Sequence, residues 1–189
     1  MKLDGDFFSR ESDKVARDLL GCYFVRDYNP RVLKGRIVET EAYFGPEDPA
    51  SRAKEKKTKI NENMWKSGGT ILVYMIHGHW LFNRVTEEEG VPGAVLIRAV
   101  EPVKGIGIMK RLRDRNKERE LASGPGKFTQ AFDISEKHHG GDVTSSDIFS
   151  VLDEDEEEFE IDSSHRIGVS EDLEEEFRFF IEDNKHVSK

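Results

Sequence analysis

Two acidic residues and a tyrosine occupy alternate positions in GRIVETEAYF, a segment rich in residues typical of strands. Because successive side chains of a strand point to opposite faces, Glu39, Glu41 and Tyr43 share one face. A carboxylate buried in an apolar strand costs free energy unless it is paired or does chemistry. The pattern leaves two interpretations open: acids that face solvent or pair with Arg36 or Arg98, and a carboxylate that acts chemically.

An arginine interrupts a second strand-like segment, LIRAVEP. A buried arginine needs a carboxylate partner, and Glu41 is a candidate partner for Arg98. Such a pair keeps the acid ionised, which suits a general base that activates water. A purely structural ion pair is the alternative.

Aromatic residues and histidines cluster around a glycine in ILVYMIHGHWLFN, residues 71–83. Two apolar strands joined by a tight turn form a hairpin, and His77 at its tip can serve as a wedge. The simpler interpretation is a polar tip with Tyr74 and Trp80 in the core. His77 and His79 lack a third ligand at metal-binding spacing, and the chain has one cysteine, so we expect no metal site.

The turn Ser-Gly-Pro-Gly-Lys, residues 123–127, precedes a predicted short helix. Backbone N–H groups in such a turn, together with the cation of Lys127, suit a phosphate. The spacing differs from that of a nucleotide-binding P-loop, so bound ATP is not expected. An ordinary turn is the alternative.

The elements that must position these residues are short strands and a few helices. Periodicity and turn residues predict strands at 22–26, 31–44, 71–76, 80–85, 94–100, 149–152, 166–169 and 177–181. They predict helices at 7–20, capped by Ser9 or Ser12, at 105–120 and at 127–132. Strands and helices do not alternate regularly, which favours the α+β class over a doubly wound fold. We expect one domain over residues 1–189, with a curved, mostly antiparallel sheet, a protruding hairpin and surrounding helices.

A net charge of −9 hides a segregation of charge along the chain. Residues 151–176 hold thirteen acidic residues and one basic residue, and we interpret 153–162 as an acidic loop. Two basic patches, residues 52–66 and 104–127, suit the phosphates of nucleic acid. No apolar run approaches the ~20 residues of a membrane span, and the N-terminus has no apolar signal core. We therefore expect an intracellular protein, in the cytoplasm or nucleoid, that contacts no membrane.

Five blocks carry a resemblance that covers most of the chain: RIVETEAYFGPEDPAS, VYMI, LIRAVEP, RELASGPGK and RIGV, all within residues 17–170. In this order they resemble the alkyladenine DNA glycosylase family, also called 3-methyladenine DNA glycosylases. The resemblance implies a monofunctional base-excision repair enzyme. Such an enzyme flips alkylated or deaminated purines out of duplex DNA from the minor groove and hydrolyses the N-glycosidic bond. It also implies a monomer that needs no cofactor and forms no covalent intermediate.

The resemblance implies roles for five residues around the flipped base. Glu41 is the general base that activates water, and Arg98 helps to hold that water. Tyr43 and Tyr74 sandwich the base, and Asn83 opposes the exocyclic amine of guanine. The segment from His77 to Asn83 is one residue shorter here than in many members of the family. A match without a gap would place Arg84 at this position, but Asn83 is assigned because asparagine is the expected residue type.

Five further residues follow from the same resemblance. His77 is the residue that intercalates into the duplex, in place of the family's usual tyrosine. Backbone groups near Ile167 complete the pocket, and Ser123 and Lys127 contact phosphates. Arg52 stands where the family has a histidine, and a guanidinium stacks on a purine but cannot imitate a neutral imidazole acceptor.

Two alternatives come from other functional classes. A non-catalytic nucleic-acid-binding module of the same fold would lack the general base. An unrelated hydrolase could use the Glu39/Glu41 pair to cleave sugars, but it would leave both basic patches unexplained.

Overall fold

A long central strand organises the fold, which we describe from a computed structural model for residues 1–141, 148–154 and 158–189. The helices in this part of the chain are α1 (Gly5–Phe8), α2 (Ser12–Asp18), α3 (Ile106–Arg113) and α4 (Pro125–Ala131). The strands are β1 (Tyr23–Tyr28), β2 (Arg31–Tyr43), β3 (Ile71–Ile76), β4 (His79–Val85), β5 (Ala94–Lys104), β6 (Phe149–Leu152), β7 (Ile161–Ser164) and β8 (Arg178–Ile181). None of the helices among the described residues is long and apolar enough to cross a membrane.

All eight of these strands join one curled antiparallel sheet. Six follow the order β3-β4-β5-β2-β1-β6, while β8 pairs with β2 outside this path and β7 pairs with β8. β2 is long enough to pair with β5 along one edge, and with β1 and then β8 along the other. The C-terminal half of β2 is therefore central in the sheet, where Glu39 and Glu41 lie opposite Phe180 and Arg178. This arrangement confirms the predicted α+β fold with an antiparallel sheet.

The predicted hairpin is formed by β3 and β4, with a two-residue turn at His77-Gly78. Both turn residues have positive φ, 48° and 80°, as a type I′ turn requires. Glycine adopts this conformation without strain, and the turn's twist matches the twist of the two strands. The imidazole of His77 is exposed at the tip.

A cluster of phenylalanines joins the sheet to α4. The ring of Phe24 on β1 lies 5.0–5.6 Å from the rings of Phe82, Phe128, Phe132 and Phe149. Each ring is fully buried or nearly so, and each such burial contributes about 1.5–3 kcal/mol. The cluster holds α4, and the turn that precedes it, against the hairpin strand β4.

Four local predictions are wrong. The helix predicted at 105–120 ends at Arg113, because Asp114 adopts a left-handed backbone conformation with a φ of 50°. The helix over 7–20 is two helices, and the caps are Asp4 and Glu11 rather than Ser9 or Ser12. α1 ends before Ser9, whose backbone angles are non-helical and whose hydroxyl also donates to the carbonyl of Gly5.

The predicted strand 166–169 is a turn, because side chains occupy its backbone donors. The N–H of Arg166 donates to Asp172, and the N–H of Ile167 donates to Glu41. On the side of β8 away from β2, the pairing strand is β7, which lies earlier in the chain than residues 166–169. The acidic loop 153–162 is therefore too long as predicted, because its last two residues belong to β7. Residues 155–157 of that run are outside the described residues.

Candidate active site

A cleft of about 940 Å³ opens between the hairpin, the end of β2, the loop 49–61 and the turns at 123–127 and 167–170. Of the described residues that line it, seven are lysine or arginine and one, Glu55, is acidic. Both predicted basic patches contribute to this lining. None of the described residues in 153–162 does. The volume is within the range of ligand sites, and the charge suits a polyanion.

Glu41 is fully buried directly beneath this cleft, and each of its polar partners lines the cleft. Its Oε1 accepts a hydrogen bond from the N–H of Ile167 at 2.8 Å and lies 3.2 Å from Nη1 of Arg98. Its Oε2 accepts a hydrogen bond from the hydroxyl of Tyr43 at 2.7 Å. Burial raises the pKa of Glu41, and the nearby charge of Arg98 opposes that rise. The site thus holds an ionisable carboxylate shielded from bulk solvent.

Arg98 pairs with both acidic residues of β2. Its Nε donates to Oε1 of Glu39 at 2.8 Å, while Nη1 faces Glu41. The interpretation in which the two acids face solvent is wrong, since both are fully buried. Burial opposes the charge on Arg98, but the two carboxylates raise its pKa above the usual value.

Two tyrosines, Tyr43 and Tyr74, contribute to the cleft lining. Tyr43 has its ring 4.7 Å from the guanidinium of Arg166, and Tyr74 has its ring 5.1 Å from that of Arg52. Burial raises the pKa of both phenols, so both remain protonated at neutral pH. The Tyr74 hydroxyl also interacts with Arg52 and Asn83. Both rings are therefore held by polar groups at positions where a planar ligand can stack.

The hairpin register separates Asn83 from Arg84. Asn83 pairs with Leu72, so it shares the face of Tyr74, and its amide donates to the carbonyl of Leu72 at 3.2 Å. Arg84 points to the opposite face, where it is fully buried and donates to the carbonyl of Gly69. Of these two residues, only Asn83 is on the side of the cleft.

The remaining predicted residues lie around the rim of the cleft. His77, Ser123, Lys127 and Ile167 all line it. The hydroxyl of Ser123 already donates to the carbonyl of Arg119. The N–H of Ile167 is likewise engaged, by Glu41, so in this state it supports the acid and is not free for a ligand. Eight of the ten predicted residues thus line one cleft. Glu41 is buried behind three of them, and Asn83 is buried on the hairpin face of Tyr74 without lining the cleft. The individual roles of all ten stay predictions.

Sequence reasoning missed a buried arginine that ties two loops to β2. Arg166 makes a two-pronged pair with Asp48, at 2.7 Å for each bond, and also bonds Asp172 and the carbonyl of Ala42. Asp48 in turn accepts from the N–H groups of Phe44 and Ala50. The sequence signal for this network was Asp48 in the GPEDP turn, because an aspartate in a turn typically accepts hydrogen bonds from nearby backbone N–H groups.

No group of three potential metal ligands among His, Cys, Asp and Glu occurs within the described part of the chain. His138 and His139 both bond to the backbone. Nδ1 of His138 accepts from the N–H of Ser135, and Nδ1 of His139 accepts from the N–H of Val73. Both rings therefore have structural partners.

Comparisons with known proteins agree on one family. The family model described as methylpurine-DNA glycosylase matches residues 6–185. A protein of Carboxydothermus hydrogenoformans, provisionally named a 3-methyladenine DNA glycosylase, is 47% identical over the full length of both chains. Proteins with the same provisional name from Chlorobium phaeobacteroides and Natranaerobius thermophilus are 43% and 42% identical. They cover 97% and 100% of this chain, and 94% and 99% of their own.

Proposed function

Because the chain belongs to the methylpurine-DNA glycosylase family, we propose that it excises alkylated or deaminated purines from duplex DNA during base-excision repair. The observation that carries the proposal is the setting of Glu41. A fully buried carboxylate lies beneath a basic cleft, and its partners Tyr43, Arg98 and Ile167 all line that cleft. This arrangement suits a general base that contacts the attacking water only when a substrate fills the cleft.

The target nucleotide leaves the base stack and enters the cleft, at a cost of a few kcal/mol. Stacking of the base on Tyr43 and Tyr74 contributes about 1–3 kcal/mol per base and tolerates different purines. Asn83 discriminates against guanine through its exocyclic amine, and Arg52 stacks near the far side of the base. The shared face of Tyr74 and Asn83 on the hairpin supports this arrangement.

In the chemical step, a water oxygen bonds to C1′ of the sugar as the N-glycosidic bond breaks. The bonding electrons leave with the purine, and Glu41 takes the proton from the water. Positive charge develops on the sugar in the transition state, and the carboxylate of Glu41 stabilises it. Arg98 helps to orient the water. No cofactor and no covalent enzyme intermediate take part, so the products are a free base and an abasic site.

The DNA duplex contacts the enzyme through its minor groove and phosphates. His77 at the exposed hairpin tip fills the gap that the flipped nucleotide leaves. Ser123 and Lys127 contact the backbone, as do the two basic patches that contribute to the cleft lining. The described parts of the acidic run, residues 153–154 and 158–162, face away from the DNA, and the enzyme acts as a monomer.

A glycosylase assay tests the proposal directly. The full chain is incubated with duplexes that carry a single hypoxanthine, 3-methyladenine or ethenoadenine, and alkali then cleaves any abasic sites. We expect strand scission by the wild type, and binding without scission by Glu41→Gln. Glu55→Gln is the matched control, because Glu55 is the other carboxylate at this cleft and is exposed. Unchanged scission by Glu41→Gln would refute the role of Glu41 as the general base.

The same assay separates the alternatives. Tight binding without scission by the wild type would favour a non-catalytic nucleic-acid-binding module. A sugar hydrolase based on Glu39 and Glu41 is disfavoured by the structure. Glu39 does not line the cleft and accepts four hydrogen bonds, about as many as a carboxylate takes.

A further inference from the structure

Glu39 is a fully buried carboxylate two residues before Glu41, and the proposed reaction does not use it. Its Oε1 accepts from Nε of Arg98 at 2.8 Å, from Nε of Arg178 at 2.7 Å and from the hydroxyl of Ser188 at 2.8 Å. Its Oε2 accepts from the N–H of Ser188 at 2.7 Å. Partners from three separate segments thus converge on one carboxylate beside the candidate general base.

Arg98 divides its nitrogens between different partners as a result. Nε is held by Glu39, Nη2 lies 3.4 Å from the hydroxyl of Ser188, and only Nη1 faces Glu41. Arginine readily makes a two-pronged fork with a single carboxylate when nothing else holds it. In that geometry it would contact both oxygens of Glu41. Glu39 therefore limits Arg98 to one oxygen of Glu41.

This restraint matters for the water that Glu41 has to activate. A carboxylate oxygen has two lone pairs, and within the described part of the chain Oε2 of Glu41 accepts one hydrogen bond, from Tyr43. Its second lone pair can accept a proton from water. An Arg98 fork on both oxygens would compete for that lone pair.

We propose that Glu39 is a positioning residue for base excision, which holds Arg98 to a single contact with Glu41 and so keeps Glu41 an effective base. The proposal rests on the function proposed above. It concerns how Glu41 is kept in its active form, because Glu39 itself does not line the cleft and contacts no substrate.

The surrounding charges support this role. The ionisable groups that face Glu41 are Glu39 and Tyr43 on its own strand, Arg98 on β5 and Tyr74 on β3. Arg178 on β8 pairs with Glu39, so the two buried acids are balanced by two arginines. The negative charge of Glu39 raises the pKa of Glu41, whereas Arg98 lowers it. Loss of Glu39 removes its upward effect on the pKa of Glu41 and strengthens the downward effect of Arg98.

The test is the pH dependence of single-turnover excision from a hypoxanthine duplex by the wild type and Glu39→Gln. The carboxylate form of Glu41 is active, so activity is lost as the pH falls through its pKa. In Glu39→Gln we expect the acid limb of the pH–rate profile, where the rate falls as the pH is lowered, to move to lower pH. We also expect the rate at neutral pH to fall roughly 10- to 100-fold. Glu39→Asp keeps the charge, and its acid limb should stay in place. Glu101→Gln on neighbouring β5 is the matched control and should leave both properties unchanged.

Glu39→Gln leaves one buried arginine unbalanced, so Glu39→Gln with Arg178→Met is a second variant that keeps the buried charges equal. Circular dichroism checks that each variant folds. An acid limb that coincides with that of the wild type in a folded variant would overturn the proposal. Failure of both variants to fold would also overturn it, by assigning Glu39 a structural role. A wild type that excises nothing would refute the proposed function instead, and this inference with it.

Discussion

Replacement of Arg166 by methionine tests whether a buried ion pair holds the wall of the cleft together. The Arg166 and Asp48 side chains are both 0% exposed, and two hydrogen bonds of 2.7 Å join them. The substitution keeps most of the apolar volume but leaves the charge of Asp48 buried without its main partner. Breaking such a pair from one side costs about 3–5 kcal/mol. For a chain of this length that lowers Tm by roughly 6–20 °C.

Two further substitutions locate the origin of that cost. Arg166→Met combined with Asp48→Asn removes the unpaired charge, so the double variant should be more stable than Arg166→Met alone. Asp172→Asn should cost less than Arg166→Met, because the Asp172 side chain is 15% exposed and water can replace its partner. Urea unfolding followed by circular dichroism measures all of these free energies.

The loss of Arg166 should also weaken substrate binding. Its guanidinium lies 4.7 Å from the ring of Tyr43 and joins the loop around Asp48 to the turn at 167–170. We expect KM for a hypoxanthine duplex to rise more than kcat falls, since Glu41 keeps its partners on β2 and β5. A destabilisation below about 1 kcal/mol, or a double variant no more stable than Arg166→Met, would refute the reasoning.

Three other predictions concern DNA contact, lesion choice and acid stability. Lys127→Ala should reduce the slope of log binding constant against log salt by about 0.9, whereas Lys14→Ala, away from the cleft, should not. Arg52 places a positive charge 5.1 Å from the Tyr74 ring, and repulsion of about 1–3 kcal/mol should disfavour cationic lesions. Arg52→Gln should therefore raise excision of 7-methylguanine relative to neutral hypoxanthine about fivefold or more, and an unchanged ratio would contradict this. Burial, reinforced by Arg26, lowers the pKa of His138 to about 4, so the unfolded chain binds that proton first. The free energy of unfolding should fall by up to ~3 kcal/mol between pH 6.5 and 4, and His138→Gln should remove that part of the fall.

The local pattern was enough to place the elements that carry the site. The valine, isoleucine and tyrosine content of residues 31–44 predicted β2, and the aromatic segment around His77-Gly78 predicted the hairpin. The pairing of Arg98 with Glu41 also followed from sequence, because an arginine inside an apolar strand needs a buried carboxylate. The strand and the hairpin depend on neighbouring residues, whose spacing already specifies which side chains share a face. The Arg98–Glu41 pair instead follows from the free-energy cost of an unpaired buried charge.

The boundaries that failed depended on side chains that bond the backbone. The predicted strand at 166–169 did not form, because Glu41 and Asp172, from elsewhere in the chain, take its N–H groups. The predicted helix at 7–20 is interrupted between α1 and α2, where the hydroxyl of Ser9 bonds the carbonyl of Gly5. Periodicity does not register such competing hydrogen bonds.

The residue pattern by itself placed two carboxylates on one face of one strand, and only the family resemblance singled out Glu41 as the general base. Their spacing, residue type and burial are the same. The difference comes from segments far along the chain: Arg178 and Ser188 reach Glu39, while Tyr43 and the turn at Ile167 place Glu41 against the cleft. Only the tertiary structure decides this, because the free energy of a buried charge depends on the groups packed around it, whatever their distance in sequence.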